Sequence, residues 1–360
     1  MLKNNQHKDP ESTILSRRNF LGSTAAAAAL SMVPLNFAFK NAPRMAPGKP
    51  DSNFGGVQIG AITYSWRSMP GGVENVIKYC IETGISSLEL MGNDVEEFLG
   101  APKNPMMGMF GPPPGARPPA AAAPAGAPPA APPQRPKLTP EQEAAIAKYR
   151  EEIKAWRLAL PMSKFESVRK MFDDAGIGIH IVKFSPSQWS DEAIDYAFKA
   201  AKALGAKGVS EEIGEAAVKK LGPIAEKHGM YAVFHNHMQF ATPGFSYDPF
   251  MAVSPAVMFN FDAGHFFGST GLHPNTILEK YHDRIFSMHL KDKTGPKADP
   301  ANTNQVWGQG EMPIAEVLLL IQKEKWPIYC DIELEYDIAP WSNAVKEVKT
   351  CVQYARQILA

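Results

Sequence analysis

The stretch "YAVFHNHMQF", residues 231 to 240, closes an apolar run with His235-Asn236-His237. On an extended chain, imidazoles two residues apart point to the same side. The three apolar runs that follow share this habit. In "VMFNFDAGH", Val257, Phe259 and Phe261 alternate with Met258, Asn260 and Asp262. In "IFSMHLKD", Phe286, Met288 and Leu290 alternate with Ser287, His289 and Lys291. In "IYCDIELEY", Ile328, Cys330, Ile332 and Leu334 alternate with Tyr329, Asp331, Glu333 and Glu335. Each run therefore has one face to pack under helices and one whose charges need partners. A single divalent cation partners His235, Asp262, His289 and Glu333 at once, because it neutralises neighbouring carboxylates and accepts neutral imidazole. Mixed nitrogen and oxygen donors suit Mn²⁺, Co²⁺ or Zn²⁺ better than Ca²⁺. "GVSEE" offers one more ligand, and its small polar side leads to Glu212 rather than Glu211.

Other residues stand as neighbours of that group. His265, three residues after Asp262, is placed to hold the aspartate or to touch substrate. Glu89, on the polar side of "SLELM", either contacts the site or pairs with Lys183 inside the fold. Trp307 opens "WGQGEMP", whose glycines precede a helix and make a weak anion-binding pattern; it stands as a substrate contact. Trp156-Arg157 reads as helix-surface packing, with a stacking wall at the site as the alternative.

Positioning these residues requires a repeated strand–helix unit. Strands are expected to begin near Val57, Ser86, Ile177, Ala206, Tyr231, Val257, Ile285 and Ile328. Helical patterns such as "GGVENVIKYCIETG" and "DEAIDYAFKAAKALG" alternate with them. Eight such units predict an α/β chain folded as a (β/α)8 TIM barrel, with its site at the C-terminal strand ends. A doubly wound sheet is the alternative, but no G-x-G-x-x-G follows the first strand. The expected layout is a signal over 1–40, a Pro/Gly/Ser-rich linker over 41–55 and the barrel over 56–360. A Pro/Ala-rich insertion, 101–137, follows strand two with almost no charge and little to bury, so an extended loop is expected there. Thr139, Pro140 and Gln142 then mark a helix start.

Lys+Arg 37 balances Asp+Glu 37, with no long basic run in the body of the chain. This argues against nucleic acid as the main partner, since phosphate binding needs clustered positive charge. Cys80, Cys330 and Cys351 lie in apolar patterns without metal-type spacing, so no disulfide framework is expected. "SRRNFLGSTAAAAALSMVPL" places Arg17-Arg18 before a short apolar run, which resembles a twin-arginine export signal, with Gly22 where a basic residue is common. It implies the twin-arginine translocase as a transient partner and a periplasmic protein, membrane-anchored where the signal is retained.

"FHNH", "FDAGH", "MHLKD", "WGQGEMP" and "IELEYD", in that order, resemble the sugar phosphate isomerase/epimerase superfamily, the xylose isomerase-like TIM barrels. The similarity runs from Val57 to Ala360 outside the insertion. It implies metal ligands at Asp262, His289 and Glu333, with His265 completing the family's Asp-x-x-His. Strand five departs from the pattern, because epimerases and endonuclease IV-like members place a glutamate ligand where this chain has His235. The missing role then falls to Glu212, His235 or His237.

The resemblance implies a metal-dependent isomerase or epimerase that removes a proton beside the carbonyl of a small sugar or cyclitol. His237 or His235 and Glu333 would be the acid/base groups, and Lys291 would face the developing oxyanion. β-Elimination from 3-keto-glycosides is the alternative in the same site. Endonuclease IV-like phosphodiester hydrolysis and a non-catalytic sugar-binding barrel are the remaining classes.

Overall fold

The structure is a computed structural model that describes residues 48–105 and 138–360. The expected signal, the first seven residues of the linker and most of the insertion lie outside the described residues. Eight parallel strands form the barrel: β1 (Val57–Ile62), β2 (Ser87–Met91), β3 (Gly178–Lys183), β4 (Gly208–Glu212), β5 (Tyr231–His235), β6 (Val257–Asp262), β7 (Ile285–Leu290) and β8 (Tyr329–Ile332). Each pairs with its sequence neighbours, and β8 pairs back onto β1, which closes the cylinder. Closure leaves these strands no free edge. Phe259, Phe261, Met288, Leu290, Cys330 and Ile332 are buried between the strands and the helices, as their alternation requires. Among the described residues no helix is long and apolar enough to cross a membrane.

The units after β5 and β2 depart furthest from the simple repeat. After β5 the only α-helix is the single turn Asp248–Met251. Aromatic side chains fill the space instead, with Tyr247 stacked on Phe259 at 3.7 Å between ring centroids. After the insertion an additional helix, Pro140–Ala159, begins with the expected cap: Thr139 Oγ1 accepts from Gln142 N and Gln142 Oε1 accepts from Thr139 N. Arg157 ties this helix to the barrel. It donates to both carboxylate oxygens of Glu96 at 2.8 Å, and its guanidinium lies 3.5 Å over the Trp189 ring.

The lower lumen is polar and sealed. The β2–β3 register shifts between Leu88 and Glu89, so both His180 and Lys183, three residues apart, turn inward. His180 bonds Asp331 Oδ2 at 2.8 Å and Ser87 Oγ at 2.9 Å, and its ring stacks on Tyr329 at 4.2 Å. Gly60 provides the room, because a Cβ there would lie 2.0 Å from Asp331 Oδ1. The Gly60→Ala variant should therefore lose about 1–3 kcal/mol of stability, as overpacked cores do, measured by denaturant unfolding. Wild-type stability in that variant would show that Asp331 is free to move.

Candidate metal centre

The site grows from local rules at four strand ends. β5 ends at His235, and Asn236 is fully buried beyond it. Asn236 Oδ1 accepts from the Asp262 backbone N–H at 3.0 Å and from the Tyr247 hydroxyl at 2.6 Å, while its Nδ2 donates to Asp262 O at 3.3 Å. The central residue of "HNH" thus fixes the end of β6. Asp262 then caps the helix Ala263–Thr270, its Oδ1 accepting from His265 N at 2.7 Å, so only Oδ2 faces the lumen. Gly264 lets Lys291 approach, since a Cβ would meet Lys291 Cγ at 2.2 Å.

Two imidazoles each bridge a pair of carboxylates. His235 Nδ1 lies 3.1 Å from Glu212 Oε2, and its Nε2 lies 3.2 Å from Asp262 Oδ2. His289 Nε2 lies 2.6 Å from Glu89 Oε2, and its Nδ1 lies 2.9 Å from Glu333 Oε2. The two rings are 4.7 Å apart. Donor atoms of His235, Asp262, His289 and Glu333 all fall within 4.8 Å of one another, and all four residues are buried. The donor set fits a divalent ion on a further observation. His289 Nδ1 and Glu333 Oε2 are buried 2.9 Å apart and face each other, with Lys291 Nζ against the same carboxylate oxygen. A proton on the imidazole links the two atoms, and a cation that replaces that proton takes both as ligands.

A family model described as xylose isomerase-like TIM barrel matches residues 151–356, more than half of the chain and six of its eight strands. The chain belongs to the xylose isomerase-like TIM barrels. Among solved structures it is similar to a probable 3-DHS dehydratase, AsbF, from Bacillus anthracis, at 12% identity over 82% of this chain and 98% of that one, with a TM-score of 0.53. A sugar phosphate isomerase/epimerase from Parabacteroides distasonis matches at 17% identity over 85% and 96%, with a TM-score of 0.51. An IOLI protein with a bound zinc atom matches at 12% over 84% and 98%, also at 0.51. At these identities the likeness is one of fold. Comparison with curated proteins yields no match.

Within this xylose isomerase-like barrel the expected residues divide into layers. Glu212, expected as a fifth ligand, stands one imidazole away from the four-donor group and belongs with His235 and His237. It also accepts from Lys183 Nζ at 2.6 Å and from His237 Nε2 at 2.9 Å. Glu211 turns the other way, to Ser187 N. Glu89, expected as a substrate contact, is fully buried beneath His289 and also accepts from Asn260 Nδ2 at 2.8 Å. It can orient the ring but is not open to a ligand. His265 sits beside Asp262 Oδ2 at 3.6 Å and Lys291 Nζ at 3.3 Å. Trp307 is not brought to the site: it packs in the hydrophobic core, edge-on to Tyr354 at 5.9 Å. Its glycine-rich loop does bind an anion, but an internal one. Asp292 accepts from the N–H groups of Lys293, Gly308, Gly310 and Met312.

Lys291 is the hub of the charges. Its Nζ lies 2.8 Å from Asp262 Oδ2, 2.5 Å from Glu333 Oε2 and 2.7 Å from Glu335 Oε2. Glu335 shares the parity of Glu333, a signal that would have included it. Burial alone would neutralise these groups, but mutual attraction wins. Lys291 is held well above its ordinary value by Asp262, Glu333 and Glu335 against desolvation. Glu333 is held well below the usual range by Lys291 and His289, again against desolvation. Desolvation would raise Glu89, yet the neighbouring His289 brings it down to about 2. His289 itself is raised, because the charges of Glu333 and Glu89 outweigh burial.

His237 differs in being half exposed at the mouth. Its hydrogen bond to Glu212 raises its pKa above 6.5, with burial opposing. Glu212→Gln removes that charge, so the His237 midpoint should fall toward 6.5 in an NMR titration of the imidazole. An unchanged midpoint would remove Glu212 as the cause.

Proposed function

We propose that this chain is a divalent-metal-dependent isomerase or epimerase that removes a proton beside the carbonyl of a sugar or cyclitol. The observation that carries the reading is the ring of four buried donors, with each imidazole held by a further carboxylate on its outer side. When bound by His235, Asp262, His289 and Glu333, a Mn²⁺, Co²⁺ or Zn²⁺ ion supplies Lewis acidity toward neighbouring substrate oxygens. Glu212 and Glu89 fix the orientation of the two rings. Lys291 keeps its charge beside the site and stabilises the oxygen that becomes negative as the enediolate forms. Glu333, expected both as ligand and as acid/base group, is held so firmly ionised that we assign it to ligation. His237, open to the mouth and hydrogen-bonded to Glu212, is assigned the proton transfer.

A second reading has one observation in its favour. A raised, half-exposed His237 is suited to protonate a departing group, which is what β-elimination from a 3-keto-glycoside requires. We further propose, from Arg17-Arg18 and the apolar run that follows, that the protein is exported by the twin-arginine route to the periplasm. Free sugars, cyclitols or glycosides are then the substrates rather than sugar phosphates.

Protein loaded with Mn²⁺, Co²⁺ or Zn²⁺ should incorporate solvent deuterium into a free sugar or inositol at the carbon beside the carbonyl. Release of an aglycone from a 3-keto-glycoside would favour the second reading, and neither outcome in a broad screen would sink both. His289→Ala and Glu333→Ala should abolish metal binding and turnover together. His237→Gln should lower kcat by about 10²–10⁴-fold and leave metal binding intact.

Metal loading should also release protons, because His289 must give up the proton that Glu333 and Glu89 favour. Calorimetry in two buffers of different ionisation heat measures this. Affinity should rise with pH, and a pH-independent affinity would exclude His289 as a ligand.

A further inference from the structure

Lys293 is 3% exposed and makes neither an ion pair nor a side-chain hydrogen bond among the described residues. The other lysines at the strand ends are paired: Lys183 with Glu212, and Lys291 with three carboxylates. Lys293 lies within the field of Asp262, Glu335 and Glu333 without an ion pair to any of them, and burial and the charge of Lys291 lower its pKa. Its side chain is held there by close packing. It passes beneath Gly268, where a Cβ would come within 2.9 Å of Lys293 Cε. Its backbone is fixed by Asp292 and by a short antiparallel pairing, Asp292–Lys293 with Asn304–Gln305. In that pairing Lys293 is directly opposite Asn304, so the two side chains share a face. Asn304 donates to Glu335 O at 3.3 Å, but its own Oδ1 is buried with no partner.

Lys293 is a largely buried side chain whose ammonium keeps three donors that no protein group among the described residues accepts, and it is ready to give them to a ligand. Beside it waits an unused acceptor. An anionic oxygen group with a hydroxyl next to it satisfies both. We propose that Lys293 anchors the carboxylate of a sugar acid, with Asn304 Oδ1 accepting from a neighbouring hydroxyl, so that the substrate is an acidic rather than a neutral sugar. The placement of this anchor on the substrate rests on the metal-site reading above; the anchor itself does not. A singly charged carboxylate matches one ammonium. A phosphate dianion would bring surplus charge toward Glu335 and Asp262.

The test is direct binding by calorimetry to the whole protein, with glucose, glucuronate and glucose 6-phosphate as probes and Mn²⁺ binding measured on the same samples. Glucuronate should bind tighter than either alternative. Lys293→Met should weaken it by about tenfold to a hundredfold, the worth of one charge-assisted hydrogen bond, with Mn²⁺ affinity unchanged. Lys293→Arg should retain most of it. Because the ammonium is unpaired, Lys293→Met should also unfold at the same or a higher temperature than wild type, whereas a structural lysine would lose stability. Equal binding of glucose and glucuronate, or Lys293→Met binding glucuronate as wild type does, overturns the proposal. Preference for glucose 6-phosphate overturns the sugar-acid assignment. Lys293-dependent glucuronate binding in protein that binds none of Mn²⁺, Co²⁺ and Zn²⁺ would sink the metal reading and leave the anchor standing.

Discussion

A closed parallel barrel has to keep its inward side chains away from bulk water, and here many of them are charged. That constraint organises everything above the middle of the lumen. Charge in such a place survives only where an opposite charge or a hydrogen bond is within reach. The chain meets the requirement by placing His235 and His289 each between two carboxylates, and one ammonium, Lys291, between three. Removing any member leaves its neighbours exposed to the full desolvation cost. The group is therefore cooperative, and its parts take their protonation from one another rather than from solvent.

The lower and upper lumen use the same device for different ends. Below, Ser87, His180 and Asp331 have the residue types and order of contacts of a hydrolytic triad. They are buried and closed off by the His180–Tyr329 stack, so no substrate can reach the serine. Above, the carboxylates open on the strand ends, where Glu212 and His237 meet solvent. Depth in the barrel, more than residue identity, separates packing from chemistry.

Much of this was legible in the chain itself. Strict alternation over β6, β7 and β8 placed Asp262, His289 and Glu333 on one inward face, and the structure brings their donor atoms together with His235. Strand starts agree within about two residues, as segment boundaries usually do. What escaped has physical reasons. Parity reports the side of a strand but not the depth, so Glu89 was drawn too close to the open site, and Glu212, nearer the mouth, too close to the four-donor group. The register shift at Leu88/Glu89 breaks the two-residue period, which hid His180. Trp307 was misplaced because its loop turns about an internal carboxylate, Asp292, that no local spacing reveals. Lys293 lies beyond the end of β7, where alternation no longer constrains direction. The aromatic packing that replaces a full helix after β5 depends on Tyr247 meeting Phe259, a tertiary contact.

The capping role of Asp262 links two events that are usually separate. One oxygen of its carboxylate terminates the helix Ala263–Thr270 and the other faces the donor ring. Fraying of that helix's first turn and loss of the ring's geometry are thus a single motion of a single side chain. The amide proton of His265 becomes a built-in gauge: its exchange with solvent counts the moments at which the centre is disassembled. Occupancy of the ring should slow that exchange from a distance of one carboxylate, so the helix end carries a record of the state of the site.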